Sequence, residues 1–451
     1  MNYMKTIFDL WQLKRNEKKT VEEISSLQTK KLKRLLHYAY EHSAYYRSSF
    51  ERAGITAEMI DSTPLSAFPV MDKSVLMSQF GEIVTVPDLT QEEIRDFDEK
   101  EIIDKKLFQD KYHIVHSSGS TGTPKYFVYD ESAWNTMLLG IVRGALWNMT
   151  MPEIIKFLIH GPRIVYIAAT DGRYGGSMAV GDGVNGVGAK QIYLDINTPL
   201  DEWISTIKEF KPNMIIGYPS AVKILAELVE KGDLDLKVLR IVTCGEPLGA
   251  GLRKYIEGVF GSDVINFYGA SESLSLGVES SSKEGMLLFD DMNIIEIQDG
   301  VMYLTCLYNF VQPLIRYRLS DQLTLQAPNA ESRYPFTHAV GLLGRNEDIL
   351  WFQDGNGKQE FLHPLAVEGF CIEGLRDYQF RQISPDTFEM LAEASNDLQK
   401  TVQDEVLQKM RDILRGKGLD YVQFFVRFVP EILPDPKTGK KRLILTDMEA
   451  A

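Results

Sequence analysis

HSSGSTGTPKYFVYD, His116 to Asp130, is the stretch on which the reading of this chain turns. Its centre sets the hydroxyls of Ser117, Ser118, Ser120, Thr121 and Thr123 around Gly119 and Gly122 and closes on Pro124-Lys125. Glycines let backbone N–H groups converge on an anion, hydroxyls add donors, and a lysine adds a point charge. This is a composition for holding a polyphosphate; the plain alternative is a polar hairpin loop. The Walker loop, G-x-x-x-x-G-K-[ST], does not fit. Pro124 stands where its glycine would precede the lysine, and Tyr126 where its Ser/Thr would bind magnesium. The flanks, YHIV and YFVY, are aromatic and β-branched, so the loop is expected to join two strands and not to open a helix.

Working outward, the chain of 451 residues is long enough for several domains and a large core, and 44% hydrophobic with 25% charged residues is ordinary for a globular protein. A formal net charge of −14 argues against nucleic acid or an anionic membrane as partner. Cys244, Cys306 and Cys371 are far apart and have no metal-ligand spacing, so they read as core thiols of a reducing compartment. The N-terminal segment lacks a secretory pattern, and no apolar run reaches the roughly 18 residues of a membrane span. Cytoplasm is the expected location. Oligomeric state is not legible.

Val21, Ile24, Leu27, Leu32, Leu35 and Leu36 predict one amphipathic helix running on into HYAYEHSAYYRSSFERAG, with Lys30, Lys31, Lys33 and Arg34 on solvated faces. After the Ser/Gly loop, Trp134, Met137, Leu138, Ile141, Val142, Ala145 and Leu146 trace a helix face, with Asp130 or Ser132 as N-cap. Gly181, Gly183 and Gly186 satisfy G-x-G-x-x-G, but KQIYLDI follows as a strand where a dinucleotide fold would start a helix, so the segment reads as a loop. Strand and helix then alternate as in a parallel sheet, and CGEPL and YGASES fall at the carboxyl ends of strands, where α/β folds place ligands. Residues 286–325 read as a small β-subdomain. A boundary is expected at about Arg345 to Asp348, followed by an α+β piece with a helix near Leu398 to Arg415.

In this order, the motifs resemble those of the adenylate-forming superfamily, which includes acyl-CoA synthetases, peptide-synthetase adenylation domains and luciferases. SSGSTGTPK is similar to its phosphate loop, and LLHYAYEHSAYYRSSF to the opening of the phenylacetate–CoA ligase branch. The resemblance implies an α/β fold with a large N-terminal AMP-binding domain, residues 1–345, and a small mobile α+β domain, residues 346–451. It also implies roles. Ser117 to Thr123 and Lys125 would hold phosphates. In YGASE, Tyr268 and Gly269 would border adenine, Ser271 (a departure from the usual Thr) would touch the α-phosphate, and Glu272 would hold Mg²⁺. Gly245, Glu246 and Pro247 would line the adenine side, Asp321 would accept the ribose hydroxyls, and Arg345 would read ribose or phosphate. Glu347 falls at the hinge. Lys440, with Lys441 as the other candidate, would be the mobile catalytic lysine. Tyr218, Pro219 and Ala270 are candidates for the acid pocket.

A carboxylate has no good leaving group, and conversion to acyl-AMP supplies one. The implied reaction is therefore ATP- and Mg²⁺-dependent activation of a carboxylic acid, aryl or otherwise apolar, followed by thioester formation with coenzyme A. Two alternatives stand beside it: transfer of the acyl group to a carrier protein or an amine, and non-catalytic nucleotide binding. GRNEDILWFQDGNGKQEFLHP departs from the usual continuation in phenylacetate ligases, which leaves the acceptor open. Which acid is activated cannot be read.

Overall fold

The structure, a computed structural model, describes residues 3–87, 89–98, 107–116, 125–159, 161–168, 189–195, 200–281, 285–328, 332–345, 350–353, 359–362, 370, 372–416, 418–433 and 443–446. In chain order, helices α1 (Tyr3–Asn16), α2 (Val21–His42), α3 (Ala44–Arg52), α4 (Lys73–Ser78), α5 (Phe80–Ile83) and α6 (Gln91–Asp98) lead to strands β1 (His113–His116) and β2 (Tyr126–Tyr129). Then come α7 (Glu131–Ala145), α8 (Met151–Ile159), β3 (Arg163–Ala168), β4 (Lys190–Asp195), α9 (Leu200–Phe210), β5 (Met214–Gly217), α10 (Pro219–Glu230), β6 (Arg240–Cys244) and α11 (Ala250–Phe260). Strands β7 (Val264–Ala270), β8 (Ser273–Glu279), β9 (Met286–Leu288), β10 (Asn293–Gln298), β11 (Val301–Cys306), β12 (Tyr317–Leu319), β13 (Asp321–Gln326) and β14 (His338–Arg345) follow. The chain ends with β15 (Leu350–Gln353), β16 (Gln359–Leu362), β17 (Leu375–Ser384), β18 (Thr387–Ala394), α12 (Gln399–Gly416), β19 (Gln423–Phe428) and β20 (Ile444–Thr446).

Two compact units result, and neither is consecutive: Met1–Asp195 with Phe267–Val340, and Ile196–Asn266 with Gly341–Ala451. In the first, the capping box predicted by no single residue starts α2: Thr20 Oγ1 accepts from Glu23 N–H at 3.2 Å while Thr20 N–H donates to the Glu23 carboxylate at 2.8 Å. The expected continuous helix is broken at Ser43, whose extended backbone (φ −113°, ψ 122°) ends α2 and whose hydroxyl accepts from Tyr46 N–H to start α3. Lys31 departs from the expected solvated face: its ammonium reaches in to the Asp291 carbonyl, and burial lowers its pKa.

Asp130 is the N-cap of α7, accepting from Ala133 N–H at 2.7 Å. The apolar face of α7 buries Trp134, Met137 and Leu138 as its spacing requires. It also buries Arg143, which no apolar periodicity reveals. Arg143 forms a two-point pair with Asp291 at 2.7 and 3.0 Å, both side chains fully buried. Asn16 donates to the same carboxylate at 2.7 Å, tying α1 to this centre. β3 and β4 pair in parallel, so KQIYLDI is a strand as read, while the glycines at 181, 183 and 186 lie outside the described residues. β10, β11 and β12 form the small antiparallel sheet expected in this region.

In the second unit β5 and β6 pair in parallel, and β19-β18-β17-β20 form a mixed four-stranded sheet. This sheet shares an apolar cluster with α12, including Phe380, Phe388, Met390, Val402, Val406 and Met410. The helix stands at 399–416, as its period predicts. β17 and β18 escape the sequence reading because LRDYQFRQIS and TFEMLAEA interrupt alternation with inward-facing polar residues. Cys306 is a buried free thiol, its pKa pushed up to about 11 by burial; Cys244 is only half-buried, against the expected core position, and Cys371 lies outside the described residues. Among the described residues no helix is long and apolar enough to cross a membrane.

Candidate functional site

The two strands expected around the hydroxyl-rich loop pair antiparallel, with His116 opposite Tyr126 at the loop's base. Strand β2 is buried along its whole length, and its backbone is held by side chains that take the place of a neighbouring strand. Gln312 Oε1 accepts from Val128 N–H at 2.8 Å, Gln312 Nε2 donates to Tyr126 O at 3.2 Å, and Asn309 Nδ2 donates to Val128 O at 2.9 Å. Buried backbone groups need such partners. These amides fix the exit of the loop, and no short-range pattern announces them. The loop residues Ser117, Ser118, Gly119, Ser120, Thr121, Gly122 and Thr123 lie outside the described residues, as do Glu347, Lys440 and Lys441. The Arg345 side chain lies outside them too, although its backbone ends β14.

Lys125, at the end of that loop, donates to Glu272 Oε1 at 2.8 Å, with the Tyr317 hydroxyl 3.5 Å away. Glu272 is 5% exposed, so it is not a solvated turn acid. It sits in the two-residue turn between β7 and β8, one step past Ser271. Tyr268, Gly269 and Ala270 still belong to β7, so the motif is a strand end and turn and not the loop expected beyond the strand. The turn is gripped from beneath: Tyr129 Oη donates to the carbonyls of Ser271 and Glu272 at 3.3 and 3.1 Å. Gly269 is required by closeness, since a Cβ there would lie 2.5 Å from the Leu274 carbonyl oxygen. Tyr268 Oη donates to Asp321 Oδ2 at 3.2 Å, and burial, with Asp321 adding to it, raises the tyrosine pKa well above its usual value. Four of the residues predicted singly are thus brought together in the first unit, Lys125 with Glu272 and Tyr268 with Asp321. The sequence does not single out Tyr129 or Tyr317: β2 is buried along its whole length, so position alone does not distinguish one tyrosine on it, and Tyr317 belongs to no motif.

In the second unit, Gly245 has φ +80°, and a Cβ on it would meet the Tyr218 ring at 2.8 Å. Glycine is needed there for both reasons. Glu246 is buried and caps α10 from outside the helix: its carboxylate accepts from Ser220 N–H and Ser220 Oγ, each at 3.0 Å. A negative charge suits a helix N-terminus. Tyr218 is the N-cap of that helix and Pro219 its first residue, a position that needs no N–H. Pro247 lies beyond Glu246 in the same turn.

A divalent cation needs oxygen ligands, and among the described residues no group of three or more His, Cys, Asp or Glu could hold one. The donor chemistry here is one buried carboxylate, Glu272, whose present partner is a lysine ammonium. That fits a hard cation which takes one or two carboxylates and completes its shell with phosphate and water.

Comparison with known proteins shows what the chain is similar to. The chain is 26% identical over 380 residues to a phenylacetate-coenzyme A ligase of Aromatoleum evansii, covering 78% of this chain and 76% of that one. It is 24% identical over 469 aligned positions to a phenylacetate-coenzyme A ligase of Thermus thermophilus, covering 94% and 96%. Its fold matches a 2-hydroxyisobutyryl-CoA ligase, solved in the post-adenylation state with an adenylate, with a TM-score of 0.70 at 21% identity, covering 96% of this chain and 91% of that one. The model of the family described as AMP-binding enzyme matches residues 55–287, more than half of the sequence, and the chain belongs to that family.

Proposed function

We propose that the protein is an AMP-forming acid–thiol ligase of the cytoplasm that activates an aryl or other apolar carboxylic acid to acyl-AMP with ATP, then forms its coenzyme A thioester. The observation that carries this reading is the part-buried Lys125–Glu272 pair at the exit of the hydroxyl-rich loop, beside Tyr268 hydrogen-bonded to Asp321. Together with the likeness to phenylacetate-coenzyme A ligases along most of the chain, it supports adenylate chemistry over plain nucleotide binding.

Adenylation brings a carboxylate against the α-phosphate of ATP, two anions that repel. Lys125 and the donors of Ser117 to Thr123 offset that repulsion, and fixed donors in a partly dry site act without reorganising. Tyr268 lies beside adenine, held by Asp321, whose second oxygen accepts a ribose hydroxyl. Ser271, its carbonyl pinned by Tyr129, directs its hydroxyl to the α-phosphate. Glu272 would hold magnesium, and the ion would neutralise charge on the phosphates. Gly245, Glu246, Pro247 and Arg345 on the nucleotide, and Tyr218, Pro219 and Ala270 on the acid, complete the proposed roles. Residues 346–451 are proposed to move about Glu347 and to bring Lys440 to the adenylation step and withdraw it for the thiol.

The test is trapping of acyl-AMP by hydroxylamine across a panel of carboxylic acids with ATP, followed by thioester detection with coenzyme A. Hydroxamate formation with an aryl acid, converted to thioester when coenzyme A replaces hydroxylamine, is the expected result. Hydroxamate without thioester would move the acceptor to a carrier protein or amine; neither product would end the reading.

A further inference from the structure

Within the second unit β17 of the C-terminal sheet packs on α11, and the sheet reaches the neighbouring α10 through a charged contact. Lys223 of α10 is 5% exposed, Glu393 of β18 is 4% and Asp377 of β17 is 6%. The Lys223 ammonium pairs with Glu393, lies 3.7 Å from Asp377, and lies 3.6 Å from Glu227 one turn along its own helix. Burial works against the ammonium, but Asp377 and Glu393 outweigh it and hold the lysine pKa above its ordinary value.

Each group also keeps a partner on its own side of the contact. Lys223 has Glu227; Glu393 accepts from Ile432 N–H at 2.5 Å; Asp377 accepts from Tyr378 N–H at 2.8 Å. The contact can therefore open without stranding a bare charge. A permanently fused contact gains little from buried ions, since apolar residues of similar volume serve as well or better. A contact that must open gains reversibility.

The same sheet leads to the Gly-Lys segment. β20 runs parallel to β17, and Phe380 N–H donates to the Leu443 carbonyl at 2.8 Å. Leu443 follows Lys440 by three residues, and it borders a small crevice that Ser220, Glu246 and Pro247 line as well.

We propose that Lys223 is a positioning residue: by pairing with Glu393 and Asp377 it latches the β17–β18–β20 sheet on α10 and so sets where the segment carrying Lys440 is delivered for adenylation. The catalytic consequence rests on the proposed function; the latch itself does not.

The experiment compares Lys223→Glu, Glu393→Lys and the double swap in the full chain. Three readouts are taken: acid-dependent ATP–pyrophosphate exchange, transfer of a prepared acyl-adenylate to coenzyme A, and small-angle scattering without nucleotide. Stranding like charges in the contact is expected to lower exchange by on the order of 10–100-fold in each single variant. Transfer from the prepared adenylate changes by less than about threefold, and the scattering profile broadens. The swap restores exchange to within about tenfold of wild type and restores the profile. Should the charge reversals fail to fold, Lys223→Gln and Glu393→Gln, singly and together, carry the same comparison. Equal loss in both half-reactions, unchanged exchange and scattering in the single variants, or a double variant no better than the singles would overturn the latch. Wild-type protein without exchange on any acid would overturn the proposed function instead, and scattering alone would then decide the latch.

Discussion

Replacing Glu272 by Gln separates a metal-binding carboxylate from a structural one. The amide has nearly the same shape, leaves the Tyr129 bonds to the turn carbonyls untouched, and can still accept from Lys125. What is lost is charge. Lys125 is 19% exposed and Glu272 6% by side chain, so water reaches the lysine and relieves part of the loss. A hydrogen bond to a charged group contributes about 1.5–3 kcal/mol and a neutral one about 0.5–1.5, which puts the stability cost near 1–2 kcal/mol, a few degrees in melting temperature. The effect on chemistry is larger: loss of a fixed electrostatic group in the site lowers exchange on the order of 10²-fold, with a sharply raised magnesium requirement. Melting without nucleotide and a magnesium titration of ATP–pyrophosphate exchange give the two numbers. A variant with a normal metal titration, or one destabilised by more than about 4 kcal/mol, the scale of breaking a fully buried pair, would refute the reasoning.

Four further outcomes follow from the same structure. Asp291→Ala leaves Arg143 charged, buried and unpaired, and denaturant unfolding should show a loss of about 3–5 kcal/mol. Gly144→Ala would place a Cβ 2.4 Å from the Phe267 ring, and overpacking of that kind should cost about 1–3 kcal/mol in the same assay. Burial raises the Asp290 pKa from 3.8 to about 6. The folded state therefore binds this proton more tightly than the unfolded state, so its contribution to stability is present below pH 4 and is lost as pH rises through about 6. Asp290→Asn should accordingly gain stability relative to wild type between pH 4.5 and 7, and a constant difference would contradict the assignment. Lys440→Ala should lose acid-dependent exchange by on the order of 10²–10³-fold while passing a prepared adenylate to thiol at a near-normal rate.

Much of the fold was readable because local chemistry and global placement agree. The parallel strands β3 to β6 carry the β-branched runs IVYIA, MIIG and RIVTC, and the helices between them carry unbroken apolar faces. The hairpin at β1 and β2 follows from aromatic flanks on both sides of a Ser/Gly loop. What escaped was written in long-range polar contacts. Ser43 looks like one more small residue in a helix until its hydroxyl is seen donating to the Glu82 carbonyl at 2.8 Å. Lys31 reads as a solvated cation and Arg143 has no place in the apolar pattern of its helix, yet both turn inward to Asp291, almost 150 residues or more away in sequence. At the candidate site, the sequence order of motifs pointed to Lys125, Glu272, Tyr268 and Asp321. The amides of Asn309 and Gln312, which hold the strand after Lys125, and the hydroxyl of Tyr129, which holds the turn of Glu272, carry no motif because they act through backbone groups of other segments. Glu246 shows the converse. A Gly-Glu-Pro turn is a common strand-to-helix device, and its carboxylate is engaged in capping α10.

The most direct measurement is ATP–pyrophosphate exchange by the purified chain with magnesium and a panel of carboxylic acids. Exchange that appears only when an apolar or aryl acid is added is the predicted result. Absence of exchange with every acid, in protein shown by its melting curve to be folded, would contradict it.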